Sequence, residues 1–166
     1  MVKYTTNNRR IAKIRRTRGY AWEDTLVKRF RQLDDWHAFR LGSPSTGLPD
    51  IIAINNIKKT LIVGEAKSGT ADSLQVPAHQ IIRCVNIAES FTVYKKRIVL
   101  LAFKFISKRR VGVGQYEPRE LREFYKIWDV NYAINDYTCT YDGDVYEVNS
   151  KRQMKIDLKN YKVPFL

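Results

Sequence analysis

Asp50-Ile51-Ile52-Ala53-Ile54-Asn55-Asn56-Ile57-Lys58-Lys59-Thr60-Leu61-Ile62-Val63-Gly64-Glu65-Ala66-Lys67 is the stretch on which the fold turns. It holds two short apolar runs, 50–54 and 60–64, around a polar connector of hairpin composition. Both faces of each run are apolar, which predicts central strands covered on both sides. A hairpin symmetric about the Ile57–Lys58 link pairs Ile54 with Leu61, Ile52 with Val63 and Asp50 with Glu65. Opposed side chains have Cβ atoms about 5 Å apart, so two carboxylates would meet at the end of a buried hairpin and repel unless a cation lay between them. Lys67 falls on the face of Glu65, while Ala66 points the other way. A register slip of one residue would undo this geometry.

The rest of the chain is basic. Its 166 residues carry 30 Lys and Arg against 17 Asp and Glu, a net charge of +13. That excess predicts a polyanionic partner, and nucleic acid fits it. No apolar stretch nears the roughly 20 residues that span a bilayer, so no membrane role is expected. The basic N-terminus lacks the apolar segment of a signal peptide, and the expectation is a cytoplasmic, DNA-associated protein. Cys84 and Cys139 lack metal-ligand spacing and read as reduced thiols, although sequence leaves a disulfide between them open.

Residues 1–18 form a basic arm with little apolar content, including Arg9, Arg10, Lys13, Arg15, Arg16 and Arg18. It reads as a solvated tail or as a nucleic-acid clamp. Residues 19–166 read as one domain, with a core over about 19–130 and a C-terminal extension over 131–166. Trp22, Leu26, Phe30 and Leu33 lie on one helical stripe, which predicts a helix over 20–33 with Glu23 in its first turn. Trp36 to Leu41 reads as a strand, and residues 42–49, rich in small residues and proline, as a loop ending at Asp50. Downstream, the spacing predicts a helix over 73–90 bearing Gln80, a strand over 97–106 and a basic turn over 107–110. A third helix over 117–128 and a hairpin over 137–148 turning at Asp142-Gly143 follow, with a weakly patterned end from Ser150. His37 and His79 have no matching acid or thiol spacing and read as structural.

Pro49-Asp50, a spacer of 14 residues and Glu65-Ala66-Lys67 match the PD-(D/E)xK nuclease signature. With Arg18-Gly19-Tyr20-Ala21-Trp22-Glu23, Ser43, Ser45 and Lys67-Ser68, the chain resembles the archaeal Holliday junction resolvase family over about residues 18–106. The resemblance implies an α/β, restriction-endonuclease-like fold, a mixed central sheet flanked by helices. It also implies a homodimer and Mg²⁺-dependent nicking of four-way DNA junctions in recombination and repair, with Mn²⁺ able to substitute. Carried over residue by residue, Asp50, Glu65 and the Ala66 carbonyl become metal ligands, and Lys67 the group that orients or activates the attacking water. Glu23 becomes the helix-borne acid acting on the metal or its water, Ser43 or Ser45 the loop serine near the scissile phosphate, and Gln80 the helix glutamine beside the site. Arg40 and Ser68 join the arm cations and Gln80 as expected nucleic-acid contacts. Two rival readings stay open: another PD-(D/E)xK enzyme of restriction, repair or mobile-element type, and a non-catalytic basic nucleic-acid-binding module.

Overall fold

A computed structural model describes residues 2–42 and 47–166, with side chains from residue 8 onward. Its centre is a five-stranded mixed sheet in the order β1-β2-β3-β5-β8. The strands are β1 (Trp36–Arg40), β2 (Ile51–Asn55), β3 (Thr60–Gly69), β5 (Lys96–Phe105) and β8 (Arg122–Trp128). β3 and β5 run parallel, and the other neighbours are antiparallel. The β2–β3 register pairs Ile54 with Leu61 and Ile52 with Val63, as the symmetric hairpin requires.

Alternation along these strands sorts the side chains into two cores. Ile51, Ala53, Ile62, Ala66, Leu100 and Ala102 face helix α1 (Val2–Arg31), whose stripe of Trp22, Leu26, Val27 and Phe30 packs on them. Ile52, Leu61, Val63, Val99, Leu101 and Phe103 face the other way, onto Ile81, Cys84 and Ala88 of α2 (Ala78–Ser90). A four-stranded sheet shares this second core through Val76, Tyr137, Cys139 and Val145. Its order is β11-β10-β9-β4, built from β4 (Ser73–Val76), β9 (Asp136–Thr140), β10 (Val145–Val148) and β11 (Gln153–Ile156). The free edge of β8 is covered by the C-terminal segment, where Ile127 N–H donates to Lys159 O at 2.8 Å and Tyr161 N–H to Tyr125 O at 2.8 Å. Cys84 and Cys139 are both free thiols.

Several elements differ from the sequence expectation. The helix expected over 20–33 is the second half of α1, which runs unbroken through the basic segment. Lys and Arg are good helix formers, no proline intervenes, and Gly19 costs only about 1 kcal/mol within a helix. Glu23 therefore sits mid-helix, not in a first turn. The helix expected over 73–90 starts at Ala78, because Pro77 caps it and Ser73–Val76 pairs with β9. The basic turn over 107–110 is instead the start of a hairpin, β6 (Lys108–Gly112) with β7 (Gln115–Pro118). The third helix is absent. Leu121, Phe124, Tyr125 and Trp128 have helical spacing, yet the segment is rich in aromatic residues and pairs with β5 along its length. Phe124 joins one core and Tyr125 the other, as successive residues of a strand point to opposite faces. The expected turn at Asp142-Gly143 is present, with Gly143 at φ 87°. The end from Ser150 contributes β11.

Candidate active site

The site forms where β2 begins and β3 leaves the hairpin. Asp50 immediately precedes β2 and is fixed by backbone contacts: its carbonyl accepts from Leu41 N–H at 2.9 Å, and its Oδ2 accepts from Ala66 N–H at 2.9 Å. Glu65 lies inside β3 with its side chain wholly buried. Lys67 Nζ stands 3.3 Å from Glu65 Oε2 and 3.7 Å from Asp50 Oδ2. Asp50, Glu65 and Lys67 thus converge, as the hairpin geometry predicts.

Arg83 of α2, which the sequence reading missed, completes the group. Its Nε donates to Glu65 Oε1 at 2.6 Å. Its Nη2 donates to Glu65 Oε2 at 2.8 Å and to Asp50 Oδ1 at 3.2 Å. The signal for it was a single arginine inside the apolar run Ile81-Ile82-Arg83-Cys84-Val85, three residues after Gln80 and so on a neighbouring face. Burial pushes the Glu65 carboxyl up to about 6, against the pull of Arg83. Burial beside Glu65 also pushes the Cys84 thiol well above its usual range.

A cavity of about 670 Å³ opens over this cluster, lined by Asp50, Lys67, Ala66, Ser68 and Arg83 on the strand and α2 side. From α1 come Arg15, Arg16, Tyr20 and Glu23, and His79 and Gln80 complete the wall. Glu23 is buried, and its Oε2 has no hydrogen-bond partner among the described residues; neither has Gln80 Oε1. Burial first, and the Asp50 charge second, push the Glu23 carboxyl up to about 7. Among the described residues, no three His, Cys, Asp or Glu side chains gather closely enough to cage a metal ion by themselves.

The other expected contacts divide. Ser68 Oγ donates to Arg18 O at 3.3 Å, tying β3 to α1 at the end of the basic segment. Arg9, Arg10 and Lys13 are exposed along the first half of α1 and do not line the cavity. Arg40 lies on the edge strand, stacked 4.8 Å over the Tyr20 ring and 3.4 Å from Asp24. Ser43 and Ser45 lie outside the described residues.

The family model for the archaeal Holliday junction resolvase, Hjc, matches residues 14–138. The chain belongs to the archaeal Holliday junction resolvase family. The match takes in Glu23, Asp50, Glu65, Lys67 and all of α2, and runs beyond the 18–106 stretch that carried the resemblance. The structure of Archaeoglobus fulgidus Hjc, a Holliday junction resolvase from an archaeal hyperthermophile, is similar with a TM-score of 0.50 at 18% identity. That match covers 75% of this chain and 85% of the archaeal one, and it supports the mixed sheet flanked by helices. No curated protein sequence matches this chain. The resolvase family is a nuclease family, so the cluster of Asp50, Glu65 and Lys67 stands in an enzyme of that class. β10 and β11 lie outside the matched span of the family model.

Proposed function

We propose that this resolvase-family protein is a Mg²⁺-dependent endodeoxyribonuclease that nicks four-way DNA junctions, acting in recombination and repair inside the cell. The observation that carries the reading is the convergence of Asp50 and Glu65 on Lys67, whose ammonium lies within 4 Å of both carboxylates, under a cavity walled by Arg15 and Arg16.

The donor set fits a hard divalent cation. Asp50 and Glu65 offer carboxylate oxygens and Ala66 a backbone carbonyl, which is the chemistry Mg²⁺ and Mn²⁺ take. Glu23 lines the same cavity, and its Oε2 has no hydrogen-bond partner among the described residues. When bound, the ion supplies Lewis-acid polarisation of the scissile phosphate and neutralises its developing charge. The chain's own residues do the rest. Asp50 Oδ2 accepts from the Ala66 N–H, which fixes the direction of its carboxylate, while its Oδ1 meets Arg83. The Lys67 ammonium, half-buried beside both carboxylates, holds the attacking water in line with the phosphorus. Glu23, with its carboxyl near neutral pH, exchanges a proton with that water or its neighbours. Arg15 and Arg16 grip backbone phosphates, which read shape and charge more than base sequence. Two symmetric nicks across a junction call for two such sites, and a twofold homodimer supplies them.

The test compares cleavage of a four-way junction, a flap, a nicked duplex and a linear duplex of shared sequence in Mg²⁺. Preferred cutting of the junction, by paired nicks, is expected. Equal rates on linear duplex would leave a PD-(D/E)xK nuclease without junction specificity.

A further inference from the structure

We infer that Arg83 is a resident counter-cation of the metal cradle: in the metal-free protein its guanidinium holds Asp50 and Glu65 together, and it must give up these contacts when a divalent cation enters. The inference rests on the reading of Asp50 and Glu65 as metal ligands.

The geometry is specific. One nitrogen, Nη2, bridges the two carboxylates, 2.8 Å from Glu65 Oε2 and 3.2 Å from Asp50 Oδ1. That is the position between two acids that a shared cation takes. Nε engages the remaining Glu65 oxygen at 2.6 Å, so both Glu65 oxygens are taken by one guanidinium. Glu65 has no solvent to fall back on, since its side chain is 0% exposed. A buried carboxylate without a partner is strongly unfavourable, and a forked Arg pair is the compensation proteins use for it.

A divalent ion binding the same oxygens would stand a few ångströms from a fixed positive charge. The repulsion at that distance is large even in a screened site. Arg83 therefore sets a threshold: metal loads only when its concentration is high enough to displace the guanidinium, or when the guanidinium has another anion to turn to. Arg83 lines the cavity in which a DNA phosphate would lie, so such an acceptor is within reach of substrate binding. Arg83 touches the ligands and not the reacting atoms, and is a positioning residue in this scheme. A purely structural arginine would predict the opposite sign, since removing it would disorder Asp50 and Glu65 and weaken metal binding.

The experiment measures Mn²⁺ affinity by electron paramagnetic resonance on the full chain without DNA, for wild type, Arg83→Met and Glu65→Gln. Arg83→Met is expected to bind Mn²⁺ at least about tenfold more tightly than wild type. It should also melt lower in chelator and gain more in melting temperature from Mn²⁺. Affinity equal to or weaker than wild type, with binding lost in Glu65→Gln, overturns the role of Arg83 and leaves the metal site standing. Absence of binding in every form, or binding in Glu65→Gln equal to wild type, overturns the metal site and this inference with it. Should Arg83→Met fail to fold, Arg83→Gln, which removes the charge and keeps an N–H donor for Glu65, carries the same expectation.

Discussion

Glu23→Gln should change how stability depends on pH more than it changes stability itself. Glu23 is 7% exposed, and its carboxyl is pushed from 4.5 to about 7 by burial and by Asp50. Below pH 4.5 the group is protonated both folded and unfolded, and its ionisation contributes nothing. Between 4.5 and 7 the unfolded chain releases the proton while the folded chain keeps it. The folded state then binds more protons, so stability falls as pH rises, and the loss is complete above 7. A shift of that size corresponds to about 3 kcal/mol, or about 1.4 kcal/mol per pH unit within the window. Glutamine mimics the neutral acid and removes this component. Glu65, pushed up to about 6, contributes in the same direction and remains in both proteins. The assay is urea unfolding in chelator at half-unit steps from pH 4.5 to 7.5. The stability of the variant relative to wild type should climb by about 3 kcal/mol across that range. Parallel pH profiles would refute the buried, proton-holding placement of Glu23.

Deleting residues 1–17 removes Lys3, Arg9, Arg10, Lys13, Arg15 and Arg16. Junction affinity should drop, and the salt slope should flatten by up to about 5 if all six cations meet phosphates, read from binding titrations at several salt concentrations; unchanged affinity and slope would return the segment to a solvated role. Gly143→Ala should cost about 2 kcal/mol or more, because Gly143 has φ 87° and an added Cβ would lie 2.6 Å from Phe124 Cε1. Denaturant titration reads that loss directly, and stability equal to wild type would contradict the packing of the β9–β10 turn on β8.

The sequence was most informative where two constraints agreed. In the 50–67 stretch, apolar runs around a polar connector suggest a symmetric register, which sequence alone does not fix, and the observed pairing of Ile52 with Val63 matches it. It misled where one pattern served two structures. Leu121, Phe124, Tyr125 and Trp128 satisfy a helical stripe, but a strand buried on both faces places aromatics on either side with no visible alternation. Residues 73–76 read locally as part of the following helix, because their partner, β9, lies more than 60 positions away and no local signal announces it. Long-range pairing is what single-sequence periodicity cannot see. The site divided in the same way. Asp50, Glu65 and Lys67 are local to one hairpin and were legible. Arg83 reaches them from α2 through tertiary packing alone, and its role emerges only from the distances. Glu23 is legible as a motif residue, but its burial depends on α1 packing across the face of the sheet.

In the proposed function, Asp50, Glu65 and Lys67 form a metal-dependent nuclease site for branched DNA. Its most direct test is single-turnover cleavage of a synthetic four-way junction in Mg²⁺ by wild type and Glu65→Gln, with junction binding measured in parallel. Paired, symmetric nicks by wild type are expected, with a loss of about a thousandfold or more in Glu65→Gln while binding is retained. Cleavage by Glu65→Gln at the wild-type rate, or binding without cleavage by wild type, would contradict it.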